Sequence, residues 1–205
     1  MNKVIYLHGA NASPENFNYY TLKLPEHDFF APAYDMEDDP FDIVEILRIR
    51  KEREFGKEPL VIVGHSFGGL IASWYASVYP RRVKHLITIA TPWQGTPVAR
   101  LFSYLWRDAK VFQNTRPGAE VLALLQEKNF NGKHTNIVCT RGANPVAGLG
   151  WGGEKANDGM ISVDSQSATP PGFKNTQNLT IEAGHSEVLL NNTVTDLLQE
   201  IIFEE

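Results

Sequence analysis

The chain has 205 residues, of which 42% are hydrophobic and 21% charged, the composition of a soluble globular protein with a sizeable core. A net charge of −5 gives no basis for binding nucleic acid or an anionic membrane, and one cysteine excludes an internal disulfide.

After Met1-Asn2-Lys3 the chain enters the apolar run Val4-Ile5-Tyr6-Leu7 directly, without the layout of a secretory signal. No apolar stretch reaches the length of a membrane span. A cytoplasmic setting without integral membrane association is therefore expected, and the sequons at Asn178 and Asn191 read as coincidental. A strand is expected over 3–8, then the loop His8-Gly9-Ala10-Asn11, a short helix near 14–22 and a strand over 29–34. The acidic Asp35-Met36-Glu37-Asp38-Asp39 lacks the spacing of a calcium loop and reads as surface. A helix over 41–55 carries Arg48-Ile49-Arg50-Lys51-Glu52-Arg53, whose mixed charges suit a solvated face.

Leu60-Val61-Ile62-Val63 has the look of a strand buried on both faces, expected over 60–65. It passes through Gly64-His65-Ser66-Phe67-Gly68 into a helix over 67–79 striped by Leu70, Ile71, Trp74, Tyr75 and Val78. A serine on a sharp strand-to-helix turn between glycines is a nucleophile elbow. The glycines let strand and helix approach closely, and the helix start favours developing negative charge at the serine. The pentapeptide alone is common; its flanking elements carry the reading.

A strand over 84–90 follows. Residues 93–117 then hold Trp93, Phe102, Tyr104, Leu105, Trp106, Val111 and Phe112, too aromatic for an ordinary loop. They are either a core-packing helix pair or a small cap or lid over the site, with Trp93 a candidate substrate contact. Further on come a helix over 118–128 and a strand over 135–140 that buries Cys139. Residues 142–157 read as a long glycine-rich loop. Within it, Gly148 to Gly153 matches G-x-G-x-x-G only formally, because no strand-to-helix joint surrounds it, so no dinucleotide cofactor is expected. A strand over 178–182 and a helix over 187–203 complete the chain. This alternation predicts one domain over 1–205, a three-layer α/β/α sandwich with about six mostly parallel strands.

A serine hydroxyl is a weak nucleophile and needs a general base, itself oriented by an acid. His85 and His134 sit at strand starts, whereas His185 follows the last strand at its carboxyl end, where sites in parallel sheets gather. His185 is thus the candidate base. Asp158, in Asn157-Asp158-Gly159, is the candidate acid, with Asp164 and Glu154 sharing its loop as alternatives. The backbone amides of Phe67 and Ala10 are the candidate oxyanion donors. His8 is assigned a structural role, pinning the first loop through a ring hydrogen bond.

His8-Gly9, Gly64 to Gly69 (GHSFGG), Ala90 to Thr96 (ATPWQGT), Asn157 to Ser162 (NDGMIS) and Gly184 to Glu187 (GHSE) together resemble a small α/β-hydrolase of the lipase/esterase type. The likeness runs over nearly the whole length and includes small bacterial lipases and GPI-inositol-deacylase-like proteins. It implies a triad of Ser66, Asp158 and His185, an oxyanion hole at Ala10 and Phe67, no cofactor or metal, and a small acyl ester as substrate. The minimal length, single cysteine and absent signal differ from secreted lipases and favour a soluble ester or thioester over bulk triacylglycerol. A thioesterase or acyltransferase would use the same triad, and a non-catalytic ligand- or protein-binding member of the fold is the reading from another class.

Overall fold

The computed structural model describes residues 3–142 and 156–203. In its first half, β1 (Lys3–Leu7), α1 (Asn18–Lys23), β2 (Asp28–Phe30), α2 (Pro40–Phe55), β3 (Leu60–His65), α3 (Phe67–Val78) and β4 (Val83–Ile89) alternate. The helices α4 (Pro97–Leu105), α5 (Lys110–Thr115) and α6 (Glu120–Gln126) follow, then β5 (Asn129–Phe130) and β6 (Lys133–Cys139). The remainder contains α7 (Val163–Ser167), β7 (Gly172–Phe173), β8 (Thr176–Ile181) and α8 (Asn192–Phe203).

Six strands form one sheet in the order β2-β1-β3-β4-β6-β8, every pairing parallel. The short β5 and β7 pair separately, also in parallel. Parallel strands need covered faces, and the sequence supplies both. Ile5, Leu7, Leu60, Ile62 and Leu86 point to one side, against Leu47 of α2, Leu70, Ile71 and Tyr75 of α3 and Leu122 of α6. Val4, Tyr6, Val61, Val63, Ile87 and Ile89 point to the other, against Phe17, Tyr20 and the α8 residues Val194, Leu198 and Ile202. The result is the three-layer sandwich that the patterning predicts.

Several elements differ from expectation. β2 stops at Phe30 rather than continuing to 34, because Pro32 has no amide to donate to the ladder. The helix expected over 187–203 is two pieces, a 3-10 turn Glu187–Leu190 and α8. Between them Asn191 is extended, and its side chain accepts from the Val194 amide at 3.2 Å, an N-cap that restarts the helix. β5, β7 and α7 carry too little periodicity to be seen in the sequence. The glycine-rich run 148–153 and Glu154 lie outside the described residues. Among the described residues no helix is long and apolar enough to cross a membrane, and no group of three His, Cys, Asp or Glu is placed to hold a metal ion.

Candidate active site

Ser66 sits between β3 and α3 with φ 54° and ψ −121°, a conformation that non-glycine residues avoid. Its amide donates to the Ile89 carbonyl at 2.8 Å, which ties the turn to β4 and helps hold that geometry. Close approach does the rest. A Cβ on Gly64 would meet the backbone of Gly68 and Gly69, and one on Gly68 would meet the carbonyl oxygens of Leu7 and His8. Only glycine at these two positions lets α3 start against β1 and β3.

His185 follows β8, and its ring reaches back to the elbow, with Nε2 at 3.1 Å from Ser66 Oγ. On its other side Nδ1 lies 2.7 Å from Asp158 Oδ2. Asp158 is 2% exposed, and its carboxylate is held from several directions. Oδ1 accepts from the Met160 and Ile161 amides at 2.9 and 2.8 Å, and Oδ2 also accepts from Gln166 Nε2 at 3.1 Å. The turn that permits this needs Gly159 at φ 100° and is closed by the Asn157 side chain, which accepts from the Gly159 amide. The Asp158 carbonyl in turn accepts from the His185 amide at 2.8 Å, so acid and imidazole are joined through both backbone and side chains. Asp164, the alternative acid, is exposed in the first turn of α7.

The first loop is pinned from two sides. His8 Nδ1 donates to the Gly9 carbonyl at 2.9 Å, and its ring stacks on Tyr34 at 4.0 Å between centroids. The Tyr34 hydroxyl donates to the His8 carbonyl. Ala10 is thereby held beside Ser66, and both line one cleft with Phe67 and His185. Phe67 is the first residue of α3, where an amide has no acceptor within its own helix. The cleft is small, about 50 Å³, and its walls include Val98, Phe102, Phe112, Met160 and Ile161. A second, more polar cleft of about 380 Å³ adjoins it across Ala10 and Phe67 and carries Asn11, Asn16, Asp35 and Glu37.

Part of the segment 93–117 packs in the core and part of it lines the cleft. Phe102 of α4 and Phe112 of α5 line the cleft, while Trp93 is 1% exposed and absent from its walls. Trp93 instead donates from Nε1 to Asn136 Oδ1 at 3.3 Å and packs edge-on against His134 and Phe173. Its expected contact with substrate is therefore corrected to a place in the core. Thr96 and Ser165 explain the neighbouring motif: the Thr96 hydroxyl donates to the Met160 carbonyl at 2.5 Å, and Ser165 Oγ donates to the Gly95 carbonyl at 2.7 Å. These bonds fasten the base of α4 to the loop that carries Asp158.

Two contributors escape a reading of the sequence. His65 donates from Nε2 to the His185 carbonyl at 2.8 Å, and burial pushes its imidazole down to about 3, so it stays neutral at working pH. Gln166, on α7, touches the acid directly. His85 and His134, by contrast, sit near the starts of β4 and β6, bound to Thr135 and to Thr88 and Thr176. Chemically, the site offers a hydroxyl in contact with an imidazole and a buried carboxylate behind that imidazole.

A family model described as the alpha/beta hydrolase fold matches residues 26–126. Among solved structures, the mature form of a Bacillus licheniformis lipase, BlEst2, superposes with a TM-score of 0.71 at 17% identity, covering 98% of this chain and 91% of that one. An alpha/beta superfamily hydrolase from Oenococcus oeni gives 0.66 at 12% identity over 100% of this chain and 92% of the other. At these identities the likeness is one of fold. A homoserine O-acetyltransferase from Thermus thermophilus is 37% identical over 73 residues, which are 34% of this chain and 19% of that enzyme. The match spans about a fifth of that relative's length.

Proposed function

We propose that this chain, a member of the α/β-hydrolase superfamily, is a serine hydrolase that cleaves small carboxylic esters through an acyl-enzyme on Ser66. The observation that supports this best is the continuous contact from Ser66 Oγ through the His185 ring to Asp158. Ser66 attacks the ester carbonyl while His185 Nε2 takes the hydroxyl proton, and the Asp158 carboxylate stabilises the imidazolium that forms. The amides of Ala10 and Phe67 receive the negative charge on the carbonyl oxygen, a contribution of about 3–4 kcal/mol per donor. His185 then protonates the departing alcohol, and water, deprotonated by the same imidazole, releases the acid. The apolar walls of Val98, Phe102 and Phe112 suit a short acyl group.

The test compares p-nitrophenyl acetate with p-nitrophenyl octanoate, using the natural chain and Ser66→Ala, and weighs the protein after brief exposure to a fluorophosphonate. Expected are a preference for the acetate, a loss of about a millionfold in kcat in Ser66→Ala, and one phosphonyl adduct on Ser66. Equal rates in the two proteins, or a folded natural chain that takes up no adduct, would remove the proposal. The partial match to an acetyltransferase favours one second reading, transfer of the acyl group to an acceptor other than water. Partitioning of the acyl group to added alcohols, measured against hydrolysis, separates the two.

A further inference from the structure

Gln166 lies on a short polar helix, 27 residues from the nearest strand residue it binds, and is completely buried. Its amide has one possible orientation. The Cys139 amide donates to Oε1 at 2.7 Å, so that atom must be oxygen, and Nε2 is left to donate. The acceptors around Nε2 are the Cys139 carbonyl at 3.1 Å, the Ile161 carbonyl at 3.2 Å and Asp158 Oδ2 at 3.1 Å. β4 pairs with β6 only as far as Ile137, and past that point Gln166 occupies the edge of Cys139 as a further strand would. The Gln166 backbone is secured too, since its carbonyl accepts from Asn136 Nδ2 at 2.9 Å.

We infer that Gln166 is a positioning residue that acts through Asp158: by donating to the same oxygen that faces His185, it fixes that carboxylate and limits how strongly it holds a proton on the imidazole. The inference rests on the proposed roles of Ser66, Asp158 and His185. An oxygen that accepts two hydrogen bonds shares its charge between them, so a neutral donor here weakens the pull of Asp158 on His185. The other polar groups around the imidazole do not supply this control. His65 packs its ring against that of His185 at 4.8 Å between centroids but stays neutral and donates to the His185 carbonyl, and the Cys139 thiol is pushed up by burial and remains protonated. Glu187 is occupied by Arg141 and the Gly184 amide.

The test is Gln166→Met, which removes the donor to Asp158 Oδ2 and adds no charge. With that oxygen serving His185 alone, its pull on the imidazolium strengthens. The acid limb of kcat/KM on p-nitrophenyl acetate should therefore move up by about one pH unit, with roughly tenfold less activity below the limb and recovery above it. Gln166→Leu, which also lacks the donor, serves if the methionine variant fails to fold. The uptake of a proton by the His185 ring, followed by NMR and assigned through His185→Asn, reads the same shift without relying on turnover. A limb and ring titration that stay in place, even with a uniform loss of rate, would make Gln166 purely structural and overturn the inference. If the natural chain neither hydrolyses the ester nor takes up the fluorophosphonate, the catalytic reading fails, while the ring titration still decides what Gln166 does to His185.

Discussion

At the scale of single residues, the bonds that aim Asp158 make a sharp prediction for its amide analogue. The Met160 and Ile161 amides both donate to Oδ1. In Asp158→Asn those two donors select the side-chain oxygen, so the NH2 group must turn towards His185. The imidazole can then face it only as an acceptor at Nδ1, with its proton moved to Nε2. That tautomer cannot take the proton from Ser66. The expected result is a fall of about ten-thousandfold in kcat with little change in KM, and some loss of thermal stability because the same NH2 group faces the Gln166 Nε2 donor. A variant that keeps more than about a tenth of the natural kcat would mean that Asp158 does not set the tautomer.

Among elements, the elbow is the place where backbone geometry and chemistry depend on each other most. A methyl group at Gly68 would press on the Leu7 and His8 carbonyls, at the end of β1 that leads into the first loop. Gly68→Ala should cost about 1–3 kcal/mol of stability, as overpacking does, and should lower kcat beyond what the lost stability explains. Urea unfolding and kcat on p-nitrophenyl acetate, measured side by side, test both parts. Natural stability together with natural kcat would show that the close approach is dispensable. The same elements explain what the sequence discloses. β3, β4 and β6 are covered on both faces, so their apolar runs are legible without knowledge of neighbours. Ser66 and His185 are legible because each follows a recognisable strand at its carboxyl end. Gln166 is not, because Val163–Ser167 has no apolar stripe and its meaning lies in Cys139 and Asp158, which the chain brings to it only on folding. Trp93 misleads for the opposite reason. An aromatic just past a strand end reads as pocket lining, yet a polar partner within the sheet, Asn136, draws its indole into the core.

For the whole molecule, the burial of histidines dictates how the fold responds to acid. His65 and His134 are buried, and desolvation pushes both imidazoles down from 6.5 to about 3. Their partners are a carbonyl oxygen for His65 and the hydroxyls of Thr88 and Thr176 for His134, none of which carries a charge to compensate a proton. His8 is lowered as well, chiefly by burial. The folded form therefore keeps His65 and His134 neutral down to about pH 3, while the unfolded chain protonates them below pH 6.5. Stability is complete above that pH and is lost as pH falls towards 3. Each ring contributes a slope of about 1.4 kcal/mol per pH unit. Two such rings would consume a typical stability of about 5–10 kcal/mol within roughly two to four units. Urea unfolding between pH 8 and 4 should give a plateau above pH 7 and a decline approaching the uptake of two protons per molecule by pH 5. His134→Gln should remove about half of that slope. Unfolding free energy that stays level from pH 7 to 5, or a slope indifferent to this substitution, would show that these rings are not held neutral by the fold.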